Sequence, residues 1–438
     1  MRYLLTLART PVLTALVLDA PDGLADDLDR GYAAAPDVER DLRVIRQVGS
    51  EQGTWGGITP WSSRVRRADE WGLTGAEREW FLYYETTTWF HRNSGRHFFV
   101  TADLQLLDEL KTKARRDLWS RRNIISVRDA FRMLGWVMRR QDKIYLDARQ
   151  NYTLTTSNYD YYLEMGFWLA PDQLRLRHWV RDQSDEVFSP EGDLVQSIHA
   201  RLVDLLKARD GVAFAWLRHQ NNATLGDILY HLRNAIPTAT ALFDALATLS
   251  LRAFGIEASS VGGMSRISLG DNGFRKALRA NGALNLAAEA AHSGPLWKML
   301  SALRNPIVHG PGLAGIGFQQ VPGPSESRLT LAREQADKVE AASQWAGDPI
   351  DSWGLQETGQ EPLLEPLLFV QRLTSTAART ADRLVTALAD DLETPPAQHL
   401  NRGDELDRLW KFGLLGGLVP DLAAAGAPPW TPDGATRW

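Results

Sequence analysis

The chain has no cysteine among its 438 residues, which excludes disulfide bonds, thiolate metal ligands and a cysteine nucleophile. It has little lysine, because only 8 of its 49 basic residues are lysine and the others are arginine. It also has no apolar run near the length of about 20 residues that a membrane-spanning helix needs. Arg9 and Pro11 interrupt the apolar N-terminal segment, so a secretory signal is not predicted. We therefore expect a cytoplasmic protein with no membrane partner.

Several catalytic signatures are missing as well. The sequence contains no Gly-rich phosphate loop ending in Lys-Ser or Lys-Thr, no Gly-x-Ser-x-Gly and no His-Glu-x-x-His. These absences argue against P-loop kinases, α/β-hydrolases and zinc proteases. Six histidines also lack the spacing that metal ligands usually show, namely His178, His199, His219, His231, His292 and His399. Neither a cofactor nor a resident metal ion is therefore predicted.

The composition, with 44% hydrophobic and 24% charged residues, is that of a globular protein, and the length allows two or three domains. Composition shifts and turn-forming segments divide the chain into four parts. These are an α/β domain at 1–150, an aromatic-rich connector at 151–192, a helical domain at 193–395 and a tail at 396–438.

Charge is distributed unevenly along the chain. Residues 111–143 carry a net charge of +8, whereas the whole chain carries −5. Trp119 and Trp136 lie among these basic residues. Such a stretch either follows a nucleic-acid backbone or forms two solvated helix faces whose tryptophans point inward.

The first 150 residues alternate apolar strands with helical segments, a rhythm typical of βαβ units and a parallel sheet. Strands are predicted at 3–7, 12–18, 98–100 and 124–127, and helices at 104–111 and 129–140.

The residues Val-Thr-Ala-Asp at 100–103, with a helix and a strand after them, resemble part of a PIN-type nuclease domain. The resemblance implies carboxylates gathered around a divalent metal, with Asp103 and Glu85 as two of them. However, if the first strand is Tyr3–Leu5, Thr6 stands where the family has Asp, and Asp19 serves only if the first strand is 12–18. We therefore expect a degenerate PIN-like domain that binds or senses rather than cleaves.

From Asp193 onward, apolar residues recur at helical spacing. Thr224 is expected to cap a long helix that Pro237 kinks and Gly255 ends. Further helices are predicted at 193–207, at 274–291 with a break near Gly282, and at 363–392. A Gly/Pro-rich loop is predicted at 310–327, followed by a short strand or helix at 328–345.

A helix that begins near Ser293 is predicted to end in Leu303-Arg304-Asn305-Pro306-Ile307-Val308-His309-Gly310. Ser293 can cap this helix, Pro295 suits its first turn, and the glycines after His309 end it. One apolar face is formed by Leu296, Leu300, Leu303 and Ile307. Arginine is a permanent cation for phosphate and histidine titrates near neutral pH, so the stretch suits phosphodiester chemistry.

A second pair with the same spacing, Arg92 and His97, is interrupted by Ser-Gly and followed by the apolar run at 98–100. We interpret that pair as part of a turn.

The stretch at 303–310 resembles the signature of the HEPN family, in which Arg, usually followed by a polar residue, is separated by four to six residues from His. The resemblance covers about residues 193–320 and implies an all-α helical bundle. It also implies metal-independent ribonuclease activity and a homodimer in which Arg304 and His309 of both chains form the active cleft. Asn305 would hold RNA or position the catalytic pair. Arg233, in the similar Leu232-Arg233-Asn234, is a candidate second phosphate contact.

The implied reaction is specific for RNA. A neutral His309 takes the proton of a 2′-hydroxyl, and the oxyanion attacks the adjacent phosphorus while Arg304 stabilises the phosphoryl charge. The expected products are a 2′,3′-cyclic phosphate and a 5′-hydroxyl. HEPN ribonucleases often serve as toxins or antiviral defence effectors, so the resemblance also implies a regulatory or antitoxin partner.

Two alternatives remain. In the first, the HEPN domain is a non-catalytic RNA-binding or dimerisation scaffold. In the second, the protein is a metal-dependent PIN-like nuclease centred on Asp103. Because Arg304 and His309 are five positions apart, they lie about 140° apart around an ideal helix. A shared site therefore needs a bent last turn or a second copy of the helix.

Overall fold

The computed structural model describes two parts of the chain. In the N-terminal part it describes five strands, at 2–7, 13–18, 42–47, 96–101 and 124–126. In the C-terminal part it describes residues 158–183, 189–217, 221–310, 312–319, 325–356 and 361–395.

The N-terminal strands form a mixed sheet in the order β3-β1-β2-β4-β5. β1 (Arg2–Leu7) pairs antiparallel with β2 (Leu13–Leu18) and with β3 (Leu42–Gln47). Parallel pairing continues from β2 through β4 (Arg96–Thr101) to β5 (Ile124–Ser126).

The four predicted strand positions are confirmed, but the expectation of a purely parallel sheet is wrong. Only five residues separate β1 from β2, and so short a connection forms a hairpin rather than a crossover. Sequence patterning also does not predict β3, whose two arginines interrupt its apolar residues. The mixed order gives no support to the PIN-like resemblance. The predicted helices at 104–111 and 129–140 lie outside the described residues.

The C-terminal part is mostly helical, as expected, and its helices share one apolar core. The helices of the described residues are α1 (Asn158–Leu169), α2 (Gln173–Gln183), α3 (Pro190–Leu217), α4 (Asn222–Ala253), α5 (Asn272–Ala280), α6 (Leu284–His292), α7 (Gly294–His309), α8 (Arg333–Ala346) and α9 (Pro366–Asp391). The helical part begins inside the segment assigned to the connector, because α1 and α2 contribute to this core.

The two longest helices, α3 and α4, form an antiparallel pair. Arg252 near the end of α4 donates a hydrogen bond to Glu191 near the start of α3. Further along this pair, the ring of His231 on α4 lies against Gly211 of α3. A Cβ atom at position 211 would be only 2.5 Å from the Nδ1 atom of His231. Glycine at this position therefore permits the close approach of the two helices.

α4 begins one turn earlier than the sequence indicates. Asn221 is the cap residue, and its side chain accepts the backbone N–H groups of Ala223 and Thr224. Thr224 is the third helical residue, and its hydroxyl oxygen accepts a hydrogen bond from the backbone N–H of Asn221. The predicted capping role of Thr224 is thus corrected to the second half of a capping box. The helix continues through Pro237 to Ala253.

The predicted break near Gly282 is confirmed, because it separates α5 from α6 and has a φ angle of +92°. Ser293 lies between α6 and α7 but makes no capping hydrogen bond. Its hydroxyl lies 3.4 Å from the Glu289 carboxylate of the preceding turn instead, which corrects the predicted cap. Pro295 occupies the first turn of α7, as expected.

α7 continues through Pro306 to its predicted end at His309. Proline lacks an N–H, so the carbonyl of Ala302 loses its usual donor four residues later. The Gln335 side chain from the first turn of α8 donates to this carbonyl at 3.3 Å. Gly310 and Gly312 both donate to the Pro306 carbonyl and close the helix end.

A small antiparallel sheet accompanies the helices, in the order β6-β7-β9-β8. Its strands are β6 (Ala314–Gln319), β7 (Ser325–Thr330), β8 (Leu355–Gln356) and β9 (Leu363–Leu364). The purely helical expectation is therefore incomplete, and the loop predicted at 310–327 contains β6. The sequence does not predict β6, because glycines at 315 and 317 interrupt the apolar alternation that is typical of a strand.

Candidate functional site

The predicted motif occupies the end of α7 at the surface of the helical part. Asn305 and His309 are exposed and Arg304 is half-buried, whereas Leu303 beside them is fully buried. Val308, between Arg304 and His309 in the same helix, is 47% exposed. The apolar face thus anchors the helix and leaves the polar side chains of the motif at the surface.

Arg304 lies on the flank of α7 that faces α4. Just before the motif, the rings of Trp297 on α7 and Phe243 on α4 meet edge to face with centroids 4.6 Å apart. The indole N–H of Trp297 also donates to the Ala290 carbonyl at 2.8 Å. This packing fixes the flank of α4 that carries Asp244 next to α7.

Asp244 is an acidic neighbour of Arg304 that the sequence does not predict. The residue is exposed, yet surrounding atoms crowd its carboxyl group, and this desolvation raises its pKa above the ordinary value. The positive charge of Arg304 opposes that shift. Within the described part of the chain the two side chains form no direct ion pair, and the Arg304 guanidinium has no hydrogen-bonding partner. The guanidinium is therefore available to an external anion.

Arg233 lies beside the loop that follows the motif. Its guanidinium donates to the carbonyl of Leu313 at 2.7 Å. It also fills the space next to Gly312, where a Cβ atom would be 3.0 Å from the Arg233 terminal nitrogen. Gly312 has a φ angle of +82°, so glycine suits both its conformation and this contact. The structure thus gives Arg233 a bond to the loop, next to the motif, and its predicted phosphate contact stays a prediction.

Arg304 and His309 do not share one side of α7. The helix is assigned without a break between them, so the angle of about 140° for five positions applies. Arg304 faces α4, and His309 lies on a different, exposed side. A helix that continues without a break through this segment does not by itself bring the two side chains together.

Sequence reasoning overlooked two residues of this region, Asp244 and Gln335. Positions 233, 237, 240 and 244 lie along one side of α4, so Arg233 and Asp244 are on the same stripe of this helix. That spacing is visible in the sequence, but nothing in it shows which stripe faces α7. Gln335 lies 33 positions from its acceptor Ala302, a separation without any local signal.

The residues of the PIN-like hypothesis lie outside the described residues, as do most of the basic stretch at 111–143 and the tail at 396–438. This applies to Asp103, Glu85 and Asp19. In the part of the chain that is described, no group of three or more His, Asp or Glu side chains is placed to hold a metal ion. Among the same residues, no helix is both long and apolar enough to cross a bilayer.

No protein-family model matches the chain, and neither the curated proteins nor the solved structures gave a match.

Proposed function

We propose that the protein is a metal-independent endoribonuclease of HEPN type that uses Arg304 and His309. The observation that carries the proposal is the state of Arg304, whose half-buried guanidinium makes no hydrogen bond or direct ion pair with the described residues. A structural arginine at a helix end would normally bind carbonyl or carboxylate oxygens. A guanidinium that has no partner among the described residues, five positions before an exposed histidine, suits a phosphodiester site.

The reaction follows from these two side chains. His309 in its neutral form removes the proton of a 2′-hydroxyl, and the oxyanion forms a bond to the adjacent phosphorus. The bond from phosphorus to the 5′-oxygen breaks, and this oxygen takes up a proton to give a 5′-hydroxyl. Arg304 donates hydrogen bonds to the phosphoryl oxygens, on which negative charge increases. Asn305, exposed next to Arg304, would bind the same substrate.

The proposed active form is a homodimer. Because Arg304 and His309 lie on different sides of α7, a second α7 helix would supply the missing partner of each. The exposed Val308 between them would then be covered by the other copy. By the HEPN resemblance, we include in the proposal a cytoplasmic role as a toxin or antiviral effector, held in check by a regulatory or antitoxin partner.

The test compares cleavage of mixed RNAs, in EDTA, by the wild type, Arg304→Ala and His309→Ala. His292→Ala is the matched control, because His292 is also exposed and is the last residue of its helix. We expect both motif variants to lose about 100-fold or more of the cleavage rate, since positioned acid–base catalysis contributes about that much. The control should retain the wild-type rate, and DNA of the same sequence should stay intact.

Cleavage that EDTA abolishes and that His309→Ala retains would contradict the proposal and favour a metal-dependent nuclease centred on Asp103. A second candidate is the non-catalytic scaffold, which the exposed Val308 favours as a dimer contact. In that case no variant would show RNA cleavage, and His309→Ala would weaken the dimer in sedimentation measurements.

A further inference from the structure

Tyr230 is an exposed aromatic residue on α4, and 65% of its surface is accessible to solvent. A tyrosine ring combines a large apolar face with a polar hydroxyl group, so an exposed one can contact a ligand through either part. Neither the apolar core nor the chemistry of Arg304 and His309 uses this side chain.

The position of Tyr230 connects it with the motif at the end of α7. One turn later on α4, Arg233 binds the carbonyl of Leu313, the fourth residue after His309. Leu229, the residue before Tyr230, packs against Gly315 of β6. A Cβ atom at position 315 would be 3.3 Å from a methyl group of this leucine. Tyr230 therefore lies on the surface of α4 beside the chain that leaves the motif.

The ring of Tyr230 is in contact with another aromatic ring on one side. It meets the ring of His231 edge to face, with centroids 5.2 Å apart and an interplanar angle of 74°. His231 in turn packs tightly against Gly211 of α3. An aromatic ring that is contacted on one side and exposed on the other offers a stacking surface to a flat ligand.

We propose that Tyr230 stacks on an unpaired base of single-stranded RNA whose backbone passes Arg304. The inference rests on the proposed ribonuclease function for its choice of RNA. Arg304, which forms no ion pair with the described residues, offers a guanidinium to phosphate, and Tyr230 offers a ring to the base. Asp244 beside Arg304 and Asp227 one turn before Tyr230 require the backbone to pass on the other side of these two carboxylates. A duplex would not fit the same site, because its bases are already stacked on each other.

The test measures binding of fluorescent, 2′-O-methylated oligoadenylate and oligouridylate of about 12 nucleotides. These probes lack the 2′-hydroxyl, so the wild type can be used without cleaving them. We compare the wild type, Tyr230→Phe and Tyr230→Ala by fluorescence anisotropy. Leu284→Ala is the matched control, because Leu284 is 61% exposed on α6.

Tyr230→Ala should bind oligoadenylate about 5- to 150-fold more weakly than the wild type, which corresponds to the loss of one stacked base. Tyr230→Phe should keep most of the affinity, and Leu284→Ala should keep all of it. The wild type should prefer oligoadenylate to oligouridylate, since purines stack more strongly, and Tyr230→Ala should lose this preference. The duplex of the two strands should bind more weakly than either strand.

Equal affinity of the wild type and Tyr230→Ala would overturn the inference, as would an equal loss in Tyr230→Phe and Tyr230→Ala. So would a change in self-association, with unchanged RNA affinity, in Tyr230→Ala. The two proposals fail separately. RNA that binds through Tyr230 but is not cleaved leaves the stacking role and removes the nuclease function. If Tyr230→Ala changes neither RNA cleavage nor RNA affinity, the nuclease function stays and the stacking role is removed.

Discussion

His199 is a histidine in the core of the helical part, only 1% exposed. Its ring lies against Phe167, with centroids 4.1 Å apart, and fills the space next to Gly166. Neither ring nitrogen has a hydrogen-bonding partner among the described residues. Burial lowers the pKa of His199 to about 4, and the nearby positive charge of Arg177 contributes to this shift. His199 is therefore neutral in the folded protein at pH 7.

This burial predicts a loss of stability in weak acid. The unfolded chain takes up a proton on His199 below a pKa of about 6.5, whereas the folded chain does so only near 4. The stabilising contribution is thus complete above pH 6.5 and decreases as the pH falls from 6.5 to 4. Between pH 7 and pH 5 the free energy of unfolding should fall by about 2 kcal/mol through this residue.

Urea denaturation of the wild type and His199→Leu at both pH values isolates the effect. The leucine variant should be at least as stable as the wild type at pH 7, because no hydrogen bond of the ring is lost. Its stability should change less between pH 7 and pH 5. An equal pH dependence in the two proteins would contradict a neutral buried His199.

Local pattern predicted some of these residues and not others. The place of Arg304 and His309 at a helix end follows from the apolar spacing before them and the glycines after them. The acidic neighbour Asp244 does not follow, since it depends on how α4 packs against α7. Exposure of Tyr230 is equally invisible, because tyrosine at helical spacing is ordinary in a core.

Among the elements, α7 shows how a helix tolerates an internal proline. Pro306 removes one backbone donor, and the Gln335 side chain satisfies the carbonyl of Ala302 that is left. The same side chain accepts the backbone N–H of Ala332 through its oxygen, which completes the first turn of α8. One glutamine therefore stabilises the end of the motif helix and the start of the next helix.

Gln335→Ala should lower the free energy of unfolding by about 1–3 kcal/mol, since two hydrogen bonds are lost and the Ala302 carbonyl is left without a donor. The loss should be smaller when Pro306→Ala is also present, because alanine restores the backbone donor. Chemical denaturation of the two single variants and the double variant measures this coupling. Additive effects would show that Gln335 does not compensate for Pro306.

Element prediction worked where the periodicity was long and failed where it was short. The helical pattern placed α4, α7 and α9 within a few residues of their observed bounds. β8 and β9 have two residues each, too few for any alternation to appear in the sequence. β1 pairs antiparallel with β2 and β3, and such pairing cannot be read from the residues of β1 alone. The predicted βαβ pattern also did not include β3.

In the helical part as a whole, a buried arginine joins distant segments. Arg175 at the start of α2 donates two hydrogen bonds to the carbonyl of Thr394, just after α9, at 3.2 and 2.6 Å. It also forms ion pairs with Asp390 at 2.8 Å and with Asp172 at 3.3 Å. Thr386 donates to the same Asp172 carboxylate at 2.9 Å. The first and the last described segments of the helical part are thus held together.

Arg175→Ala should lower the free energy of unfolding by about 1–3 kcal/mol, because the buried carbonyl of Thr394 loses its donor and Asp390 and Asp172 lose an ion pair. It should also expose the end of α9 to limited proteolysis before the other helices. Arg181→Ala on the same helix is the control, since the Arg181 side chain is 71% exposed and the carboxylate of Asp182 lies 4.0 Å from it. Equal stability of the two variants would contradict the role of Arg175.

The sequence predicted a helical C-terminal half but not where it begins. Aromatic residues at 151–192 indicated a connector, whereas α1, which lies within that segment, belongs to the helical core. Such a long-range arrangement has no local signal, because Arg175 and Thr394 are 219 positions apart.

The termini of RNA fragments, identified after digestion by the wild type in EDTA, test the ribonuclease proposal most directly. Attack by a 2′-hydroxyl that His309 activates predicts fragments with 2′,3′-cyclic phosphates and 5′-hydroxyls. Fragments with 3′-hydroxyls and 5′-phosphates would contradict this chemistry, because water rather than the 2′-hydroxyl would then have attacked the phosphorus.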